Sequence, residues 1–184
     1  MRSLKGHLLL ATPELLAPIF NRGVILMLDH SSEGAAGVVI NRPTDTTVAA
    51  IAEQVFEEPS TWEKLISLGG PVPGPMIFLH TMEELSDQQI LSGVYSTVDA
   101  SKARELVRLQ VEPSLTVANY AGWSPGQLEE EIAEGSWITI PARSEHVFWE
   151  GQDDLWKVAT KEYHGRRLTD LLRIREMPAD PRAN

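Results

Sequence analysis

The sequence predicts one domain that combines a mixed sheet with helices, α+β or α/β in class, rather than a doubly wound parallel sheet. Three observations carry this. The chain of 184 residues has the length of a single domain able to bury a substantial core. Helical patterns are interspersed among strand patterns along its length. At least one pair of neighbouring strands is joined directly, through the short turn "SSEGA", and not through a helix. No internal repeat, coiled coil or low-complexity linker is found.

The elements follow in order. "HLLLAT" (7–12) reads as a short strand ended by Pro13. "RGVILMLDH" (22–30) is a continuous apolar run, as for a strand buried on both faces. Across "SSEGA", where Gly34 can take a positive φ, "AGVVINRP" (36–43) forms the second arm of a hairpin and stops at Pro43. "TTVAAIAEQVFEE" (46–58) sets Val48, Ile51, Ala52 and Val55 at helical spacing behind Thr46 or Thr47 as N-cap. "SLGGPVPGP" (67–75) is a loop, and "MIFLHT" (76–81), "ILSGVYST" (90–97), "SLTVANYAG" (114–122) and "SWITIP" (136–141) read as strands. "DASKARELVRLQ" (99–110) is a helix capped by Asp99, with Ala103, Leu106 and Val107 inward. A helix over 125–134, an extended "HVFWEG" (146–151) and a helix "DDLWKVATKEY" (153–163) complete the chain. The tail "REMPADPRAN" has prolines and no apolar period, and is predicted to be disordered.

Composition excludes several function classes. Sixteen Lys and Arg stand against 26 Asp and Glu, a net charge of −10, which repels nucleic-acid phosphates. The densest basic cluster, Arg166, Arg167, Arg173 and Arg175, is interleaved with Asp170 and Glu176, so direct nucleic-acid binding is disfavoured. There is no cysteine, hence no disulfide, thiolate metal site or cysteine nucleophile. The apolar run Leu8–Ala11 is too short for a signal-peptide core, and no segment has the ~20 apolar residues of a membrane span. A cytoplasmic protein without membrane contact is the expectation.

One motif names a reaction. "YAGWSPGQLEEEIAEG" (120–135) holds Gly-Trp-Ser-Pro-Gly, a G-x-S-x-G pattern between a predicted strand and a predicted helix, the context of a hydrolase nucleophile elbow. Asp153 or Asp154 and then His164 follow in the Ser, Asp, His order of that fold. Against it stands Pro125, at the position whose backbone N–H would supply half of the oxyanion hole. Losing one such donor removes ~3 kcal/mol of transition-state stabilisation. The same residues fit a helix start: Ser124 as N-cap, Pro125 at the first helical position, Gln127 completing an S-x-x-Q box, Trp123 stapled on Leu128, and Gly135 at the end. The helix reading is preferred, and no catalytic residue is assigned.

The stretches "GHLLLATP" (6–13), "FNRGVILMLDHSSEGAAGVVINRP" (20–43), "LGGPV" (68–72), "FLH" (78–80) and "YAGWSPGQLEEEIAEGSWITIPA" (120–142), with the later "VFW" and "LWKVA", resemble the YqgE/AlgH family of bacterial proteins. The resemblance covers most of residues 6–160. It implies a compact domain, and with the hairpin it narrows the fold to α+β: a single domain with a mixed, largely antiparallel, partly closed sheet flanked by helices. On this division residues 1–163 are the family-like domain and 164–184 a C-terminal extension. One branch of the family is associated with transcriptional regulation of alginate synthesis in pseudomonads. No helix-turn-helix, zinc finger or basic helix is present, so such an effect would pass through a protein or small-molecule partner.

The remaining candidates concern binding. His7, His30, His80, His146 and His164 lack the H-x-x-x-H and H-E-x-x-H spacings of zinc sites, and no metal is assigned. The fixed-length phosphate loop G-x-x-x-x-G-K-[ST] is missing, and no cofactor is assigned. "INRP" places Asn41 and Arg42 at the end of an apolar strand, where loops gather binding groups. A ligand pocket is expected to bring Asn41 and Arg42 near Gly69 and Gly70 of the "GGP" loop, with His80 close by. The alternative is that Asn41 satisfies turn backbone groups while Arg42 pairs with a surface carboxylate. The sequence thus predicts a non-catalytic binding or regulatory protein with an unidentified protein or small-molecule partner.

Overall fold

The apolar run after Gly23 is a strand hydrogen-bonded on both sides, and the molecule is built outward from it. In a computed structural model, which describes residues 3–15, 17–151 and 154–171, β1 (His7–Ala11), β2 (Val24–Ser31) and β3 (Gly34–Val39) form an antiparallel meander. Gly34 takes φ +128° at the β2–β3 turn, where a Cβ would meet the Trp123 carbonyl oxygen at 2.4 Å. β10 (Ala121–Trp123) and β11 (Trp137–Pro141) pair with β3 and β1 respectively, giving a five-stranded antiparallel sheet in the order β10-β3-β2-β1-β11.

The intervening chain makes a second sheet. It comprises β4 (Pro43–Thr47), β5 (Leu65–Leu68), β6 (Ile77–His80), β7 (Gln88–Leu91), β8 (Val94–Thr97) and β9 (Leu115–Ala118), in the order β4-β5-β9-β6-β8-β7. Only β5 and β9 pair in parallel. The second sheet is therefore inserted between two hydrogen-bonded neighbours of the first, β3 and β10.

Alternation along the strands decides what each face covers. Leu8, Leu10, Val24, Leu26, Val38 and Ile40 join Ile77, Leu79, Val94 and Val117 in the core shared by the two sheets. Leu9, Ala11, Ile25, Met27 and Val39 face the other way, onto Trp123, Leu128 and Trp137. The far face of the second sheet packs Ile66 and Phe78 against Val48 and Ala52 of α1 (Val48–Phe56) and Ala103, Leu106 and Val107 of α2 (Ala100–Leu109). Burial on both faces is why β1 and β2 read as unbroken apolar runs.

The α+β class and the largely antiparallel pairing agree with the sequence reading. The strands divide between two open sheets rather than one partly closed sheet, because the chain leaves β3 for β4 and returns from β9 to β10. Local differences have local causes. The run 90–97 is a hairpin, not one strand, turning at Gly93 with φ +74°. The run 114–122 splits at Asn119, φ +65°, where the chain changes sheet. The segment expected to be extended from 146 begins in a helical turn, α4 (Ser144–Val147). Thr47 and Asp99 cap α1 and α2 through their side chains, as the sequence predicts.

The motif at 120–135 forms a strand, a tight turn and a helix. Pro125 and Gly126, φ +79° and ψ −16°, are the central residues of a type II turn closed by the Gln127 N–H on the Ser124 carbonyl at 3.1 Å. The helix, α3 (Gln127–Ala133), starts after that turn and has Gly126 as N-cap. Ser124 is thus not the side-chain cap. Half of the predicted box survives in reverse: the Ser124 backbone N–H donates to Gln127 Oε1 at 3.0 Å. The last helix, α5 (Leu155–Leu171), passes through position 163. The tail predicted to be disordered lies outside the described residues.

Candidate functional site

Where the chain leaves the first sheet for the second, between β3 and β4, a cavity of about 500 Å³ opens. Five separate segments wall it: the 21–22 turn, residues 40–43, β5 with the preceding Lys64, the entry to β9, and residues 147–150 together with Asp154 and Leu155. Asn41 and Arg42 both line it. Asn41 is committed to the backbone, since its Oδ1 accepts from the Val24 N–H and its Nδ2 donates to the Arg22 carbonyl, each at 2.9 Å. That side chain ties the end of β3 to the turn before β2.

Among the described residues Arg42 is held without a bonded acid. Its guanidinium donates to the carbonyls of Asn41, at 3.1 Å, and Asn21. No ion pair of Arg42 with a carboxylate is found among the described residues. Burial pulls its pKa below the usual arginine value; nearby Asp154 opposes the shift and Arg22 adds to it. The other cations of the cavity are paired: Arg22 with Asp154 at 2.6 Å and Lys64 with Glu112. Asp154 also caps α5 through the Trp156 N–H at 2.9 Å. Ser114, a residue only 5% exposed, lines the same cavity, and its buried hydroxyl has no hydrogen-bond partner among the described residues. Leu115, Val147, Phe148 and Leu155 supply apolar wall.

Gly69, Gly70 and His80 do not line this cavity. The two glycines let strands cross closely: a Cβ on Gly69 would meet Val117 Cγ1 at 2.4 Å, and one on Gly70 the Tyr120 carbonyl carbon at 2.2 Å. His80 is buried in β6, with Nε2 at 2.9 Å from Thr97 Oγ1 and Nδ1 accepting from the Met82 N–H at 3.2 Å. Burial lowers its pKa, with Asp87 opposing. Lys64, Ser114 and Phe148 carry no motif that sequence reasoning could have used. They reach the cavity only through tertiary folding.

Ser124 is exposed, and its hydroxyl makes no hydrogen bond among the described residues. Asp154 is occupied by Arg22 and the start of α5, His164 stacks edge-on to Tyr163 at 5.2 Å, and Asp153 lies outside the described residues. Among the described residues no three His, Cys, Asp or Glu side chains gather as a metal set, and no helix is long and apolar enough to cross a membrane.

The AlgH-like family model matches residues 8–167. The chain belongs to the AlgH-like family. UPF0301 proteins of Shewanella denitrificans and Chlamydia caviae are similar to this AlgH-like chain at 37% identity over 169 residues and 34% over 172. Each alignment covers 88% of the chain, and 92% and 87% of the respective relative. The solution structure of the AlgH protein from Pseudomonas aeruginosa is similar at a TM-score of 0.73 and 30% identity, over 96% of both chains. A crystal structure from Corynebacterium diphtheriae is similar at a TM-score of 0.67 and 25% identity, over 95% of this chain and 88% of its own.

Proposed function

We propose that this AlgH-like protein is a non-catalytic binding protein of the cytoplasm that takes a small molecule at the crossing between its two sheets. Any effect on transcription then passes through that ligand or a protein partner and not through contact with DNA. The observation that carries the reading is the cavity itself. It is concave and mixed in character, with polar and charged side chains such as Arg42, Lys64 and Ser114 facing apolar ones such as Leu115 and Phe148, so it offers a ligand both polar anchors and apolar surface. Its position where five chain segments meet means that an occupant contacts the residues flanking β2 and β3 together with β5 and the start of β9. The excess of 26 acidic over 16 basic residues supports the exclusion of nucleic acid.

The non-catalytic part rests on the motif. Pro125 offers no N–H to an oxyanion, and Ser124 has no base bonded to its hydroxyl among the described residues. Robust labelling of Ser124 by a fluorophosphonate probe would overturn that part. The binding part is tested by incubating the protein with a small-molecule extract of bacterial cells and identifying retained compounds by mass spectrometry. The control is Leu65→Trp, a larger ring at the cavity mouth on a residue that is 45% exposed. A compound retained by the native chain and not by the variant is the expected result. Equal retention by both, or none by either, would sink it.

A further inference from the structure

Two groups in the cavity are prepared for a partner that the chain does not supply. The first is the Arg42 guanidinium. Hydrogen bonds to the Asn21 and Asn41 carbonyls fix its plane, yet those use only part of its five N–H donors. In a chain with ten more acids than bases (26 less 16), a half-buried arginine with no bonded carboxylate among the described residues is unusual in its company. Among the described residues the two carboxylates that line the cavity do not fill the role: Asp154 is bonded to Arg22, and Glu150 is exposed. The second group is the Ser114 hydroxyl, buried and unbonded among the described residues. A buried hydroxyl left without a partner is destabilising, and a ligand acceptor that reaches it would remove that penalty.

We infer that the ligand of this cavity is an organic anion, its carboxylate or phosphate head seated on Arg42 and Ser114 and its compact apolar body against Leu115 and Phe148. The inference rests on the proposed binding function and names the class of molecule bound. An oxyanion accepts from the guanidinium in the charge-assisted, forked geometry that arginine provides, and it accepts from the serine hydroxyl as well. The burial that lowers the Arg42 pKa is reversed in effect by an anion beside it. The apolar wall gives the rest of the molecule a dry surface to cover.

The test is titration calorimetry of the full chain with phenyl phosphate and with benzoate, set against benzyl alcohol and benzylamine. At least one anion is expected to bind one to one and about tenfold or more tighter than the alcohol and the amine, the span of one charge-assisted hydrogen bond. Ser114→Ala should weaken that anion severalfold while leaving the melting temperature unchanged or raised, because it deletes an unsatisfied buried hydroxyl. Arg42→Lys keeps the charge, loses the fork and should weaken it further. Binding of the alcohol or the amine as tight as the anions would overturn the inference. So would failure of both anions at millimolar concentration, or full affinity in Ser114→Ala. A neutral or cationic compound recovered from the extract experiment would leave the binding function standing and remove only the anion.

Discussion

Asn41 shows how a residue that lines a site can be structural. Both its amide atoms bond to backbone groups of the 22–24 segment, so Asn41→Ala leaves an N–H and a carbonyl short of partners beside the β2 start. We expect a loss of about 1–3 kcal/mol in urea unfolding, a far larger effect than for Ser114→Ala. The turn at 124–127 yields a second contrast. Ser124→Ala should change stability by no more than about 0.5 kcal/mol, as for a surface position without a special role, since among the described residues only the backbone N–H and carbonyl of Ser124 are bonded and its hydroxyl is not. Gly126→Ala should destabilise by about 1 kcal/mol or more, because a Cβ is strained at φ +79°. Thermal melts of the two variants separate the readings: a large loss for Ser124→Ala would restore it as the cap.

Legibility at this scale followed locality. Asp99 and Thr47 announce helix starts because a cap acts within its own turn. Ser-Pro-Gly spells two local structures equally well, a capped helix and a type II turn preceding one. The positive φ of Gly126 selects the turn. Arg42 was legible as a binding candidate from its place at a strand end. That no carboxylate among the described residues is bonded to it could be seen only once Asp154 was found on Arg22.

At the scale of elements, α4 and α5 are fastened by a polar knot. Glu162 on α5 accepts from Arg143 Nη1 at 2.5 Å and from His146 Nε2 at 3.1 Å. The other ring nitrogen of His146 accepts from the Arg143 backbone N–H at 3.2 Å, so the neutral ring is the form that fits. Burial lowers the His146 pKa, the Arg143 charge lowers it further, and Glu162 and Glu145 oppose. Arg143 in turn, with help from His146, holds the Glu162 carboxyl at about 2 against the raising effect of burial.

Both shifts have the same sign for stability. A group whose pKa is depressed by folding binds more protons when unfolded, so its contribution to stability is present at high pH and lost as the pH is lowered. For His146 the loss begins below the unfolded value of 6.5; for Glu162 it runs from 4.5 down to about 2. We expect the urea midpoint to fall from pH 7.5 to pH 5. His146→Gln should start lower at pH 7.5 and show a shallower fall over that range, with His80 supplying the remaining slope. A slope unchanged in His146→Gln would remove His146 from the account.

For the whole molecule, the class of fold was readable because helix and strand periods are local and because β1 and β2 carry their two-sided burial in unbroken apolar runs. The division into two sheets was not. It depends on the chain turning at Asn119 and at residues 40–42, and neither place has the glycine that usually marks such a change. The cavity lies at one of these two passages, which is why its far walls, Ser114 and Phe148, could not be gathered from sequence spacing.

The insertion of one sheet within the other sets an order in time. β3 and β10 are partners in the first sheet, but residues 40–120 run between them. Joining them in an otherwise unfolded chain means closing a long loop, whose entropy is recovered only when the intervening segment has become compact. The β3–β10 seam should therefore form late and open early, whereas β1 and β2, contiguous and buried, stay shut. Native-state hydrogen exchange reads this directly: the amides of Ala121 and Trp123 should exchange ahead of those of Val24 to Leu28. Equal protection along both stretches would mean that the molecule opens as one unit, without a seam.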